Sequence, residues 1–316
     1  MKILANDGIS KNGIVTMEKA GFEVLTTTVA QEQLANYINE HKIDALLVRS
    51  ATKVRKELID ACPTLKLIGR GGVGMDNIDV SYAKSKNIHV INTPAASSES
   101  VAELVFAHLF GGVRFLYDAN RNMPLEGDSN FKELKKSYSK GTELRGKTLG
   151  IFGFGNIGQA TATLAIGVGM NVVYCDPEVE NATIKLTFFD GQKVTFTLKN
   201  TEKSELIKNA DYISLHIPDQ QNYVIGKEEF SQMKKGVGIV NAARGGVLDE
   251  VALVEALENG TVSFAGLDVY ESEPKPEMKI LMHPSISLSP HIGAATLEAQ
   301  ERIGSELAEQ IITILK

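Results

Sequence analysis

The sequence predicts an α/β protein made of two Rossmann-like, doubly wound parallel-sheet domains. Three observations lead there. Short apolar runs of strand length alternate with helical patterns along most of the chain, as βα units feeding parallel sheets do. A glycine-rich turn spaced G-x-G-x-x-G stands between one such run and a helical pattern near the middle. At 316 residues the chain can build two cores.

The first 92 residues carry β-rich runs at 3–5, 22–25, 45–48, 65–68 and 88–91, with helical patterns such as 31–41 and 55–61 between them. Ligands of open α/β sheets sit beyond the carboxyl ends of strands. Arg49 and Ser50 follow one run, and Arg70, Gly71, Gly72, Val73 and Gly74 follow another. The arginines at these ends point to an anion, and the glycines let backbone approach it; solvated surface arginines are the alternative. The segment 92–99, NTPAASSE, is a loop opening a helix, capped by Ser97 or Ser98 and continued by Val101, Leu104, Val105 and Leu109. That helix should carry the chain from the first domain into the second. The polar stretch 118–145 is expected to be loop plus an exposed amphipathic piece.

The central stretch 148–177 is the most informative. An apolar run at 149–152 precedes Gly153, Gly155 and Gly158; Ile157, Ala160, Leu164 and Val168 follow at helical spacing; 170–175 is a second strand, ending at Asp176. In such a unit the first glycine permits a tight turn, the second admits a pyrophosphate, and the third lets helix pack on strand. The helix N-terminus then holds the anion. Asp176, 18 residues past Gly158, stands where a carboxylate accepts hydrogen bonds from an adenosine ribose and repels a 2′-phosphate. The expected cofactor is therefore NAD rather than NADP.

After Asp176 the rhythm breaks. Residues 183–198, TIKLTFFDGQKVTFTL, alternate β-branched and polar residues about Asp190-Gly191, predicting a protruding hairpin with a type I′ turn. The βα rhythm resumes with helices at 202–209, 227–233 and 250–259, strands at 212–216, 237–241, 265–268 and 286–288, and a tail helix at 297–315. Three motifs follow the late strands: Asn241-Ala-Ala-Arg244-Gly-Gly, Leu267-Asp268-Val-Tyr-Glu271-Ser-Glu273-Pro274, and Ser289-Pro-His291-Ile-Gly293. Arg can grip a carboxylate with two parallel hydrogen bonds. His can exchange the proton of an alcohol near neutrality, and a carboxylate beside it orients the ring and favours its charged form. Hydride transfer needs such a set. Each residue alone could be a surface group; together, beside a dinucleotide fingerprint, they form a candidate site. His216 ends a strand near the expected cofactor cleft. His41, His89, His108 and His283 are read as structural.

Composition narrows the classes. Hydrophobic content of 43% and charged content of 23% suit a soluble globular protein. A net charge of −6 with no basic stripe argues against nucleic acid as a partner. Cys62 and Cys175 match no ligand spacing, and no metal motif occurs, so no metal is expected. Reduced thiols, a polar start and no apolar run of about 18 residues suggest a cytoplasmic protein with no membrane partner.

The chain resembles the D-isomer-specific 2-hydroxyacid dehydrogenases over essentially its whole length, through GFGNIG, CDP, NAAR-GG-VLDE, LDVYESEP and LSPHIGAAT in that order. Within the family it is most similar to the D-3-phosphoglycerate dehydrogenases, through VRSATKV, GRGGVGMDNID and NTPAASSESVAEL. The resemblance implies a discontinuous substrate domain, 1–97 with 294–316, and an NAD-binding domain, 98–293. It implies that Arg244 binds the substrate, that Glu273 pairs with His291 as acid–base, and that Arg49, Ser50, Arg70, Gly72, Val73 and Gly74 meet its carboxylate or phosphate. It places Gly153, Gly155, Asn156, Ile157 and Gly158 at the pyrophosphate, Asp176 at the ribose, and Ala243 and Asp268 at the nicotinamide end, with His216, Ile217, Arg244, His291 and Gly293 lining the cofactor.

The implied reaction is NAD-dependent oxidation of 3-phospho-D-glycerate to 3-phosphooxypyruvate, feeding serine synthesis, in a homodimer. A glyoxylate or hydroxypyruvate reductase of the same fold is the alternative enzyme. A non-catalytic NAD-sensing scaffold, like corepressors of this fold, is the alternative of another class. Two features depart from the family pattern: the 183–198 hairpin, and an end after the tail helix, where some relatives carry a serine-binding domain.

Overall fold

A computed structural model describes all residues, 1–316. In chain order the elements are β1 (Lys2–Ala5), α1 (Lys11–Lys19), β2 (Glu23–Leu25), α2 (Gln31–His41), β3 (Ala45–Val48), α3 (Lys56–Ala61), β4 (Leu67–Arg70), α4 (Val80–Ser85), β5 (His89–Asn92) and α5 (Ser98–Val113). Next come α6 (Leu116–Glu126), α7 (Phe131–Ser137), β6 (Thr148–Phe152), α8 (Asn156–Val168), β7 (Asn171–Cys175), β8 (Asn181–Thr187), β9 (Lys193–Lys199), α9 (Lys203–Asn209) and β10 (Tyr212–Leu215). The last are α10 (Lys227–Gln232), β11 (Val237–Asn241), α11 (Glu250–Glu258), β12 (Val262–Leu267), α12 (Met278–Leu281), β13 (Ile286–Leu288) and α13 (Leu297–Leu315). They form two compact units, Met1–Ser100 with Ala294–Lys316, and Val101–Gly293.

The first unit is a five-stranded parallel sheet ordered β2-β1-β3-β4-β5. Its central strands are apolar throughout because helices cover both faces. One face buries Leu34, Ile38, Leu46, Ile59 and Ile68. The other buries Ile3, Met17, Leu47, Leu67, Ile303, Leu307 and Ile311, so α13 packs beside α1. That contact is close: a Cβ on Gly13 would meet the Gly304 carbonyl at 2.7 Å.

The second unit is a six-stranded parallel sheet ordered β13-β12-β11-β10-β6-β7. Strand order reverses at β6, whose neighbours are β7 and β10. The glycine turn follows β6, at the switch point where such sheets open a ligand crevice. The hairpin β8–β9 stands apart as its own two-stranded sheet, linked beside β7 by a bridge between Tyr174 and Asn200. Ala182, Ile184 and Leu186 are buried in the cluster that includes Ala162, Ala165 and Tyr174, so the ribbon covers α8.

Two local expectations differ from the structure. The hairpin turn is not type I′, which needs positive φ at both central residues. Here Asp190 keeps negative φ and only Gly191 is left-handed, at φ 85°. Phe188 and Gln192 close a three-residue loop, with the Gly191 N–H donating to the Phe188 carbonyl. The stretch 118–145 holds most of α6 and all of α7 where loop plus one amphipathic piece was expected; they bury no residue completely, so no buried stripe marks them. On α8 the buried positions are Gly158, Thr161, Ala162 and Ala165, small residues that let the helix sit close to the sheet, while Ile157, Ala160, Leu164 and Val168 are only partly covered. No single helix is long and apolar enough to cross a membrane.

Candidate active site

The site in the second unit is built at the carboxyl ends of three adjacent parallel strands. β11, β12 and β13 are neighbours in register, so the loops leaving them emerge on one edge. Arg244 is in the loop after β11, Glu273 in the loop after β12 and His291 in the loop after β13.

Each loop is held from within. The Asn241 carboxamide accepts from Ala243 N–H at 3.1 Å and donates to the Arg244 carbonyl at 2.8 Å. Arg244 Nη1 donates to the Ala243 carbonyl at 2.7 Å. A Cβ on Gly245 would collide with the Tyr270 carbonyl, so glycine lets the Arg244 loop lie directly on the loop that carries Glu273. That second loop is braced by a reciprocal pair: Glu250 N–H donates to Glu271 and Glu271 N–H donates to Glu250, both at 2.9 Å. Tyr270 N–H donates to Glu273 Oε1 at 3.1 Å.

Glu273 Oε2 is 2.9 Å from His291 Nδ1. A carboxylate only accepts, so Nδ1 carries the hydrogen and Nε2 is left to exchange a proton. Both side chains are less than half exposed, at 38% and 46%. The hydrogen bond to Glu273 raises the His291 pKa above its ordinary 6.5; burial and the Arg244 charge oppose this, and Asp268 reinforces it. Burial alone would raise the Glu273 pKa, but the bond from His291 and the nearby positive charges outweigh it and hold it below 4.5. The same Arg244 therefore acts on both partners, which places the guanidinium, carboxylate and imidazole within one electrostatic neighbourhood.

Asp268 is 1% exposed. Its carboxylate accepts from Ser289 Oγ and from the N–H groups of Ile292 and Gly293 at 2.6–2.8 Å. All three are groups of this loop cluster, so the side chain serves the His291 loop directly. Gly293 is buried and Ile292 exposed.

The cofactor region meets the demands of a dinucleotide. Gly153 is left-handed at φ 85°, and a Cβ there would meet the His216 carbonyl at 2.5 Å. A Cβ on Gly158 would strike the Gly153 carbonyl, so helix and turn touch. Gly155 is the N-cap of α8, offers no capping side chain and has nothing within 4 Å of a would-be Cβ. That is an open cradle for an anion at a helix N-terminus. Gly155 and Asn156 are exposed and Ile157 is half-buried.

Asp176 ends β7, half-buried, and its Oδ2 accepts from Phe154 N–H in the glycine turn at 2.6 Å. Its Oδ1 accepts from the N–H groups of Glu178 and Val179. His216 accepts or donates at Nε2 to Ser214 Oγ at 2.8 Å, and burial lowers its pKa to about 3, so the ring is neutral. Ile217 follows it, half-buried, with its side chain against Gly153.

In the first unit Arg49 and Arg70 lie at the carboxyl ends of adjacent strands, Val48 being the register partner of Arg70. Asp7 accepts from Arg49 N–H at 2.6 Å and from Thr52, and Asn77 donates to the Arg49 and Thr52 carbonyls. The Arg70 guanidinium lies over Gly72, where a Cβ would collide with it. Gly72 is buried, Gly74 half-buried, and Ser50 and Val73 exposed.

Several residues that hold the site carry no role that the sequence announces. Asn241 and Ser289 open two of the motifs, but only their place at the ends of apolar strands, Asn241 closing β11 and Ser289 just after β13, marks them. Asn200 bonds both backbone groups of Asp176, accepting from its N–H and donating to its carbonyl, each at 2.9 Å. His108, read from sequence as structural, is buried and bonded to Ser287 and Ser289. No group of three or more His, Cys, Asp or Glu is placed to hold a metal.

Comparison with known proteins agrees with this geometry. The profile for the D-isomer specific 2-hydroxyacid dehydrogenase NAD binding domain matches residues 106–293. The hydroxypyruvate reductase of Thermotoga maritima is 41% identical over 98% of this chain and 97% of that protein. The D-3-phosphoglycerate dehydrogenase of Methanocaldococcus jannaschii is 39% identical over 100% of this chain but only 58% of its own length. The NAD⁺-bound 3-phosphoglycerate dehydrogenase of Entamoeba histolytica superposes with a TM-score of 0.77 at 29% identity, covering 100% of this chain and 95% of that one. The chain belongs to the D-isomer-specific 2-hydroxyacid dehydrogenase family, an enzyme family with an NAD-binding domain, and it presents that family's nucleotide fold and an Arg-Glu-His constellation on one sheet edge.

Proposed function

We propose that the protein oxidises 3-phospho-D-glycerate at C2 to 3-phosphooxypyruvate, supplying serine synthesis, and runs the reverse reduction as readily as concentrations dictate. Bound NAD supplies the hydride acceptor. Arg244 grips the carboxylate and carbonyl oxygen of the substrate through its planar fork. His291 Nε2 takes the hydroxyl proton, and Glu273 stabilises the imidazolium that results. Asp176 accepts from the ribose hydroxyls and Gly153, Gly155 and Gly158 seat the pyrophosphate.

The observation that favours a phosphorylated substrate is the pair of guanidinium groups, Arg49 and Arg70, on adjacent strand ends with Gly72 and Gly74 in the same loop. A dianion suits two arginines better than a hydroxyl does. The second reading, hydroxypyruvate or glyoxylate reduction, is favoured by the Thermotoga maritima relative, which this chain matches nearly end to end. The hydrogen-bonded Glu273–His291 pair speaks for catalysis over a scaffold role. We also propose a cytoplasmic homodimer: Leu116 and Met123, seven residues apart and so on one face of α6, are 56% and 42% exposed, an apolar surface that a second copy would cover.

The test is an NADH-coupled screen of 3-phosphoglycerate, glycerate and lactate, with 3-phosphooxypyruvate, hydroxypyruvate and glyoxylate in reverse. A kcat/KM for the phosphorylated pair at least about 100-fold above the others, roughly two good charged contacts, supports the first reading. Equal or better use of hydroxypyruvate replaces it with the second.

A further inference from the structure

We propose that His108 is a positioning residue for the acid–base loop, holding the backbone around His291 through Ser289 and Asp268. The proposal rests on His291 being the acid–base.

The chain of contacts is short and buried. His108 on α5 is 5% exposed, Ser289 7% and Asp268 1%. His108 Nδ1 is 2.8 Å from Ser287 Oγ and Nε2 is 3.0 Å from Ser289 Oγ. Ser289 Oγ donates to Asp268 Oδ1 at 2.6 Å. The Asp268 oxygens accept from Ile292 N–H and Gly293 N–H, each at 2.8 Å. Those amides belong to the two residues directly after His291.

Donor counting places the hydrogens in this chain. Asp268 Oδ1 accepts from Ser289 Oγ, so the one Ser289 hydroxyl hydrogen is spent on it. Ser289 Oγ must therefore accept from His108, which places the hydrogen on Nε2. In the neutral imidazole Nδ1 then accepts, and Ser287 donates to it. Burial lowers the His108 pKa, outweighing the opposing pull of Asp268, the charged group that acts on it.

The fold makes room for this ring. A Cβ on Gly266 in β12 would meet His108 Cβ at 2.6 Å and Cγ at 2.8 Å, so the imidazole is seated against bare strand backbone. From there it reaches two serines, Ser287 in β13 and Ser289 just after it.

The loop needs such support. His291 adopts φ 55°, the left-handed region, which costs a residue other than glycine roughly 1–2 kcal/mol. Tyr270 Oη adds a bond to the Ser289 carbonyl at 2.9 Å, but only the His108 relay orients the serine hydroxyl toward Asp268. Without the Nε2 donor, the Ser289 oxygen is left buried and short of a partner, and the hydroxyl is free to turn from Asp268.

The test compares His108→Phe, which keeps the bulk and removes both nitrogens, with His108→Gln, which can again donate and accept. Hydroxypyruvate reduction by NADH gives kcat and KM, fluorescence titration gives the NADH Kd, and hydrogen exchange reports the Ile292 and Gly293 amides. His108→Phe should lower kcat about tenfold or more, as small misplacements of reacting groups do, with NADH Kd within about twofold and faster exchange at both amides. His108→Gln should recover most of the rate and the protection. Ser289→Ala should reproduce the His108→Phe pattern, and decides the matter if His108→Phe does not fold. Unchanged kcat and unchanged exchange in the folded variants overturn the proposal. Faster exchange in a protein that turns over no 2-oxo acid would leave the relay standing and remove the dehydrogenase reading instead.

Discussion

Glu273 Oε2 and His291 Nδ1 meet at 2.9 Å although 18 positions separate them in the chain. Their loops leave β12 and β13, neighbouring parallel strands. The pair sets a direction for pH dependence. Because the His291 pKa is raised above 6.5, reduction of a 2-oxo acid, which needs imidazolium, should persist above the ordinary histidine range and fall as pH rises further. Oxidation should rise over the same interval. Glu273→Gln should move both limbs to lower pH. Profiles of kcat/KM in the two directions check this.

The same pair carries a stability signature. A raised His291 pKa stabilises the fold fully below the unfolded value of 6.5, with loss as pH climbs through the folded value. A lowered Glu273 pKa stabilises it above 4.5, with loss as pH falls through the folded value. Their contribution is therefore complete between those limits and declines on both sides. The difference in Tm between wild type and Glu273→Gln, followed against pH, should be largest there.

Arg244 should not tolerate lysine. The charge survives in Arg244→Lys but the planar fork does not. Losing one charged hydrogen bond costs about 1.5–3 kcal/mol, so kcat/KM should fall roughly 10- to 100-fold. NADH binding by fluorescence titration should stay within about twofold.

Asn200 ties the inserted hairpin to the cofactor acid. It follows β9, accepts from Asp176 N–H and donates to the Asp176 carbonyl, while its own N–H closes the ribbon on the Glu180 carbonyl. Asn200→Ala should weaken NADH binding roughly three- to tenfold, the worth of about one hydrogen bond, with kcat little altered. Isothermal titration with NADH measures it.

The hairpin should be anchored by one face only. Ile184 is 2% exposed and Phe189, at the tip, is fully exposed. Ile184→Ala should cost about 2–5 kcal/mol, and Phe189→Ser no more than about 0.5 kcal/mol. Urea unfolding curves separate the two.

Much of this architecture was legible because its signals are local. The glycine spacing needs only six consecutive residues, and the strands before Arg244, Glu273 and His291 show as apolar runs. What stayed hidden depends on partners far away in the chain. Asn200 finds Asp176 across 24 positions, and His108 finds Ser289 across 181. A histidine on an apolar helix face looks the same whether it fills space or orients a hydroxyl. The turn type failed for another reason: Asp-Gly suits two hairpin loops, and the pairing of Phe188 with Gln192 selected the longer one. Of α6 and α7 only one exposed amphipathic piece was expected, because helix periodicity is plain only where one face is buried.

The central claim is that His291 moves the proton of the reacting hydroxyl. His291→Asn keeps the size of the side chain and removes its titration, and the decisive measurement is its single-turnover rate with NADH and 3-phosphooxypyruvate beside its NADH Kd. The rate should fall by about 10²–10⁴ with the Kd within about twofold. A variant that turns over at the wild-type rate would contradict the assignment.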